Sequence, residues 1–411
     1  MPWKETRVMD VRLELIQLVE EGESVASAAR IQGVARKTAD KWVSRFEAEG
    51  VAGLADRSRA PHSRPAAFDE ERIARVVALR ASYPTWGPRK LMHWLRVHEP
   101  ELPCPAASTI GQLLKERGLT APGRRKRPLK PYTQPLAHCT APNSVWCADF
   151  KGWFRTRDGQ RCDPLTISDG HSRFLLRVQA LAQPTLAAVL PLFNATLREY
   201  GLPDAIRTDN GPPFASTTGI GLSRLAVGWI DLGITPERIR PGKPQENGRH
   251  ERMHRTLKAD TLKPPAGTRR KQQHRFDLFQ EQYNHERPHQ ALNYQTPAQV
   301  HTSSERPYPD RVAPPQYDTG STVCRVYDKG SFYYNGHHYF LTSALGAKRI
   351  ALLPINEADG ILAIYYRHVP VASLNLHERK IGPAPKAQSN RTATPSSGGG
   401  VSFPSCETCR K

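Results

Sequence analysis

No run of 18 apolar residues occurs anywhere in the 411-residue chain, so a membrane-spanning helix is not expected. The first twenty residues are interrupted by Lys4, Glu5, Arg7 and Asp10, so a secretory signal is not expected. Cysteine is sparse, seven residues at irregular spacing. An odd count of that kind excludes a disulfide framework and fits a reducing, cytoplasmic compartment. Cys406-Glu407-Thr408-Cys409 is half of a zinc pattern without its second half and reads as tail composition. Acidic residues are the other shortage: 39 Asp and Glu against 59 Lys and Arg leave a net charge of +20. Such an excess points to nucleic acid as the partner.

What the chain does have is a Pro/Gly-rich loop that runs into a charged helix, Arg240-Pro241-Gly242-Lys243-Pro244-Gln245-Glu246-Asn247-Gly248 followed by Arg249 to Lys258. On that helix Glu251, His254, Arg255 and Lys258 recur at three- and four-residue intervals, which sets one carboxylate among cations on one side. Met253 and Leu257 can anchor another side. Alone, such a helix reads as a solvated charged surface. Two upstream segments change that reading. Val145 to Phe154 is a strand of aromatic and aliphatic residues with a single acid, Asp149, in its middle, a costly placement unless something compensates the charge. Ala205 to Thr208 is a short buried strand that stops at Asp209 before an Asn-Gly-Pro turn, and α/β sheets place functional side chains at the carboxyl ends of strands. Three carboxylates, two on strand positions and one on a helix, suit a pair of hard divalent cations, whose other positions go to water and phosphate oxygens.

Trp146-x-x-Asp149, Thr208-Asp209-Asn210-Gly211 and Pro244-Gln245-x-Asn247-Gly248-x-x-Glu251-Arg252 together resemble the three signatures of the retroviral-integrase-type catalytic core found in bacterial insertion-sequence transposases of the DDE class. The resemblance implies that Asp149, Asp209 and Glu251 are the catalytic metal ligands, holding two Mg²⁺ (or Mn²⁺) ions. It also implies two-metal phosphoryl transfer, with Asp149 bridging ions roughly 4 Å apart. The competing acid is Glu246. It lies 37 positions beyond Asp209, nearer the family's usual interval than the 42 of Glu251. The motif favours Glu251, which follows the Pro-Gln-x-Asn-Gly run, whereas Glu246 lies inside it. On one helix the two would point roughly 140° apart. His250 and His254 read first as packing or surface residues, with orienting substrate as the alternative, while Arg249, Arg252, Arg255 and Lys258 are candidates for binding phosphates.

The remaining segments extend this picture. Residues 1–55 read as a helix-turn-helix DNA-binding domain. A first helix stops at Glu21-Gly22, Ser24 caps a short Ala-rich second, Gln32-Gly33-Val34 turns, and a basic third follows. Recognition helices present their amino-terminal residues to base edges. Arg36, Lys37 and Asp40 are therefore the candidate readers, with Lys41 and Arg45 beside them; the alternative is a small bundle with a basic face. Residues 56–68 form a basic linker. Residues 69–120, with Trp86-Gly87-Pro88-Arg89 and an expected cap at Ser108, are similar to the family's second helix-turn-helix or winged-helix-like domain. A second basic linker, 121–143, carries Arg124, Arg125, Lys126 and Arg127, which can track phosphates.

Residues 144–302 show three antiparallel strands and then alternating helix and strand, the order of a ribonuclease-H-like core with a mixed five-stranded sheet and helices. Short strands with an Asn335-Gly336 hairpin signal suggest a small SH3-like β-barrel over 315–383. The tail, 384–411, has the composition of a disordered segment. The expected protein is a multidomain transposase acting on double-stranded DNA, element ends and target, as a homo-oligomer in the bacterial cytoplasm beside the nucleoid. The alternatives are an inactive DNA-binding regulator and a nuclease without strand transfer.

Overall fold

The computed structural model describes residues 8–57, 69–120, 136, 138–216, 219–240, 244–356 and 360–385. The chain divides into two compact units, Met1–Glu70 and Glu71–Lys411. The first holds α1 (Val8–Glu20), α2 (Val25–Ile31) and α3 (Arg36–Glu49). Ser24 caps α2 as expected, its hydroxyl accepting from Ser27 N at 3.2 Å. Gly33 takes the positive φ of 67° that the turn requires. Ala28, Ala29 and Ala39 are buried with Leu15, Ile16 and Trp42, so small side chains let the helices approach closely. Arg12 lies 3.8 Å over the Trp42 ring and donates to Leu54 O and Asp56, fastening the end of the unit back onto α1.

The second unit begins with α4 (Glu70–Ser82), α5 (Pro88–His98) and α6 (Ala107–Glu116). Their core is Val76, Leu79, Trp86, Leu91, Leu95, Ile110 and Leu114. Gly87 and Pro88 open α5 as its cap and first residue, because the fixed φ of proline suits a first turn. The expected cap at Ser108 is corrected: α6 already starts at Ala107, with Ala106 in the cap position and no side-chain hydrogen bond. The extended backbone of Ala106 begins the helix two residues earlier.

The central sheet follows. Strands β1 (Val145–Phe150), β3 (Arg161–Asp169) and β4 (Leu175–Leu181) are antiparallel, and β5 (Ala205–Thr208) and β6 (Thr235–Arg238) run parallel to β1 on its other side. The order is β4-β3-β1-β5-β6, with the two-residue β2 (Phe154–Arg155) added along β3. The mixed five-stranded sheet is therefore present, with one short extension. Strand alternation divides its side chains between two faces. Trp146, Leu165, Ile167, Leu176 and Ile206 pack with α7 (Leu186–Tyr200) and α8 (Arg224–Asp231). Cys162, Leu175 and Val178 pack with α9 (Gly248–Thr261) and α10 (Arg269–His285). Ala148 belongs to the first face, so Asp149, next along β1, falls on the α9 side.

After α11 (Pro297–Val300) come β7 (Thr322–Arg325), β8 (Ser331–Tyr334), β9 (His337–Phe340), β10 (Arg349–Asn356), β11 (Ile361–Tyr366), β12 (Val369–Asn375) and β13 (Lys380–Gly382). The β8–β9 hairpin turns at Asn335 and Gly336, both at positive φ, as the Asn-Gly signal predicts. The expected barrel is corrected to an open sheet, β13-β12-β11-β10-β7, beside a separate hairpin, with no ladder closing it among the described residues. In the turn between β7 and β8 Tyr327 N donates to Ser331 O and Gly330 N to Tyr327 O, while β8 makes its ladder with β9. This sheet shares the buried cluster of α7 and α8. Asp231 of α8 reaches Lys348 Nζ at 2.8 Å, Arg367 Nε at 2.9 Å and the Tyr366 hydroxyl. The basic run Arg124 to Arg127 and the tail with Cys406 and Cys409 lie outside the described residues.

Candidate active site

Asp149 pairs across the sheet with Thr166. On its other side the parallel register aligns Cys147 with Arg207, and two further steps bring Asp149 level with Asp209, just past the end of β5. Asp209 ends its strand because its own carboxylate turns the chain: Oδ1 accepts from Gly211 N at 3.1 Å. A Cβ at position 211 would stand 3.2 Å from Asp209 Oδ2, so glycine leaves that carboxylate uncrowded. Glu251 lies on the exposed side of the first turn of α9.

The electrostatics join the three acids. Burial, then the charge of Asp209 and, more weakly, that of Glu251, push the Asp149 carboxyl up to about 7. Like charges at short range disfavour ionisation in this way. Among the described residues no three His, Cys, Asp or Glu side chains already form a group able to hold a metal ion; the acids feel one another without having closed into a cage. The donor set nonetheless fits a hard divalent cation: it is all carboxylate oxygen, and its mutual repulsion is what such a charge would relieve.

A second layer holds Asp149 in place. Asn247 Nδ2 donates to Asp149 Oδ2 at 2.9 Å. The Thr166 hydroxyl donates to Asp149 O at 3.1 Å and stands 2.6 and 2.7 Å from the Nε2 atoms of His250 and His254. With its proton given to that carbonyl, the hydroxyl accepts from both rings, so both carry hydrogen on Nε2, and His254 Nδ1 lies 3.9 Å from Asp149 Oδ2. Burial pushes His250 down to about 3, and burial with the charges of His250 and Lys151 pushes His254 down to about 2. His250 Nδ1 lies 3.2 Å from Ser168 Oγ. The histidines are therefore buried positioning groups. Neither Asn247 nor Thr166 figures among the candidates read from sequence. Asn247 lies within the Pro-Gln-x-Asn-Gly run, whereas Thr166 carries no local signal at all.

Glu246 is engaged elsewhere. Its buried carboxylate accepts from Arg240 N and Arg240 Nε, and these bonds hold its pKa below the usual carboxylate range. Arg249 turns inward and donates to Gly170 O at 3.0 Å, while Arg252, Arg255 and Lys258 are exposed on α9. In the first unit Arg36, Lys37, Asp40 and Lys41 are exposed at the start of α3. Arg36 lies 3.9 Å from Asp40, and Arg45 lies over Trp42 at 5.2 Å.

Comparison with known proteins agrees with this architecture. Models of the integrase core domain match residues 139–244 and 232–297. A helix-turn-helix domain model matches 11–62 and a homeodomain-like domain model 38–114. The chain is 29% identical over 282 residues to the uncharacterized 39.2 kDa protein of insertion element IS476 from Xanthomonas euvesicatoria, covering 68% of this chain and 78% of that one. It is 30% identical over 193 residues to the uncharacterized 31.7 kDa protein of insertion element IS407 from Burkholderia multivorans, covering 46% and 67%. Similar solved structures include the HTLV-2 integrase catalytic core domain in complex with magnesium, at 18% identity and a TM-score of 0.32 over 39% of this chain and 98% of that one. A simian T-cell lymphotropic virus intasome chain gives 17% and 0.34 over 76% and 100%. Helix-turn-helix units ahead of a mixed-sheet integrase core define a class of DNA-recombining proteins. The chain belongs to the insertion-sequence transposases with an integrase-type core.

Proposed function

We propose that this transposase binds the ends of its insertion sequence through the domains at 1–55 and 69–120, and that its core at 144–302 cuts those ends and joins them to target DNA. The observation that carries this reading is the parallel register that brings Asp149 of β1 level with Asp209 past the end of β5, on the side of the sheet where α9 carries Glu251 in its first turn. Asp149, Asp209 and Glu251 would hold Mg²⁺ or Mn²⁺, two ions in all. When bound, the metal supplies charge to stabilise the phosphoryl transition state and lowers the pKa of a water or 3′-hydroxyl nucleophile. The chain's own residues hold the acids ready: Asn247 fixes the outer oxygen of Asp149, and Thr166 fixes its backbone from behind. Arg252, Arg255 and Lys258 lie beside Glu251 and would grip the flanking phosphates. The protein would act as a homo-oligomer, so that two ends are processed together.

The test is cleavage and joining of duplexes carrying the element's ends by the purified full-length chain with Mg²⁺ or Mn²⁺. Asp149→Asn, Asp209→Asn and Glu251→Gln should each lose both steps while DNA binding persists. Equal activity in all four proteins would remove the assignment. Cleavage without joining would make the protein a nuclease, and binding without either would make it a regulator.

A further inference from the structure

Two elements leave the acid cluster and meet again at one basic concavity. Along β3, the hairpin tip begins five residues from Thr166, the partner of Asp149, or about 17 Å at strand rise. Along α9, Leu262 stands eleven residues beyond Glu251, or about 16 Å at helical rise. There the tip docks on the α9–α10 connection, Arg157 N donating to Ala266 O and Asp158 N to Gly267 O. The resulting hollow, about 600 Å³, is lined by Arg157, Arg270, Lys271, His274 and Arg275. A neighbouring hollow of about 490 Å³ shares Arg270 and adds Arg269. Thr268 already caps α10, its hydroxyl accepting from Lys271 N, so the basic character comes from side chains and does not rest on an uncapped helix end.

Among the described residues no carboxylate lies within ion-pair distance of Arg269, Arg270, Lys271 or Arg275. Arg157 and Arg275 brace the loop instead, donating to Pro265 O and Pro264 O. Arg270 and Lys271 are exposed. Asp158 of the hairpin tip is the one described carboxylate whose charge Arg269 is seen to feel, so the cations outnumber it, and phosphate oxygens relieve the repulsion that remains.

We infer that this hollow is a second DNA-backbone site, which seats the phosphates of a duplex about 5 base pairs from the bond held at Asp149, at 3.4 Å per pair. The inference rests on the proposed function for its direction, since it takes the bound duplex to pass the acids. It adds a contact that reads no sequence and sets how much flanking duplex the core needs. The motifs of the acid cluster carry no hint of it, because its residues come from a hairpin tip and from a helix start more than a hundred positions later.

The experiment uses the full-length protein carrying Asp149→Asn to prevent cleavage, alone and with Arg270→Gln/Lys271→Gln. Binding to end duplexes is measured from 50 to 200 mM salt, with duplexes extending either 3 or 12 base pairs beyond the cleavage point. Losing two phosphate contacts should make the salt slope shallower by about 2 and weaken low-salt binding roughly tenfold on the long duplex. On the short duplex the change should be under twofold. Arg270→Lys/Lys271→Arg, which conserves charge, should restore the slope. An unchanged slope on the long duplex, with the parent protein still binding DNA, overturns the second site and leaves the transposase reading intact. Equal loss on both lengths overturns the placement. A change in oligomeric state with DNA binding unaltered would assign the hollow to a second copy of the chain and overturn the DNA site. Failure of the parent protein to bind end DNA would overturn both.

Discussion

The hydroxyl of Thr166 donates to the backbone carbonyl of its cross-strand partner Asp149 at 3.1 Å, and the same oxygen stands within 2.7 Å of both His250 and His254. One buried hydroxyl thus fastens α9, which carries Glu251, to the strand that carries Asp149. Asp149 and α9 are held to each other through a buried network behind the carboxylates.

Replacing Thr166 by Val keeps the shape and removes the acceptor of two buried imidazole N–H groups. An unmade buried bond costs about 1–3 kcal/mol, so Thr166→Val should lower stability by about 2 kcal/mol or more in denaturant unfolding. Thr166→Ser should keep most of it. If cleavage follows the network, activity should fall with Val and recover with Ser.

Acid should loosen α9. His250 and His254 are neutral when folded, down to about 3 and about 2, whereas unfolded imidazoles protonate near 6.5. The unfolded state then binds the extra protons, so the stability they contribute is present above pH about 6.5 and is lost as pH falls toward 3. The slope is about 1.4 kcal/mol per pH unit per histidine. Unfolding followed from pH 7 to pH 4 in wild type and in His250→Asn should show a shallower fall in the variant.

Asp149 runs the other way. Its carboxyl rises from about 3.9 in the unfolded chain to about 7 in the fold, so the folded state holds the extra proton between those values. That contribution is fully present below pH about 4 and is lost as pH rises through 7, where the unrelieved negative charge is greatest. Divalent ions should therefore raise the unfolding temperature by several degrees at pH 8 and far less at pH 5.5. Asp149→Asn should remove the difference, and an equal rise at both pH values would count against the acids as ligands.

The two candidate glutamates should separate. Glu246 is held by Arg240, so Glu246→Gln should cost a few-fold in end cleavage by loosening the loop before α9. Glu251→Gln should cost on the order of a thousandfold, the scale of losing a group that stabilises transition-state charge. Single-turnover cleavage with Mg²⁺ measures both, and the reverse order would transfer the role to Glu246.

Asp231 ties the carboxyl-terminal sheet to α8 through Lys348, Tyr366 and Arg367. Asp231→Asn leaves two cations facing a neutral group in a half-buried place where solvent screens part of the charge, and losing one partner of such a set costs about 1–2 kcal/mol. Hydrogen exchange should become faster in β10 to β12 while β1 and β3 keep their protection. Uniform loss of protection would mean that the sheet and the core unfold together.

Most of the local structure is legible in the residues themselves. Ser24 and Gly33 bound their helix, Asn335-Gly336 turns its hairpin, and Ala205 to Thr208 stops at Asp209. Each depends on neighbours a few positions away, where capping, glycine conformation and apolar period act. The turn before β12 carries no such signal, because Arg367 takes its φ of 52° in place of a glycine or asparagine. The open sheet in place of a barrel is missed because strand pairing is a long-range choice.

The chemistry divides along the same line. The three motifs that hold the acids, the Pro-Gln-x-Asn-Gly run among them, and the charge of +20 are properties of the chain, and it is the resemblance of those motifs to the family's signatures that nominates Asp149, Asp209 and Glu251. Tertiary structure alone decides that Glu246 belongs to Arg240, that Arg249 turns to Gly170, that Thr166 joins strand to helix, and that Arg157 meets Arg270 more than a hundred positions away. Those are outcomes of burial and of register between distant segments, where a hydrogen bond forms only once the sheet has brought its two ends together.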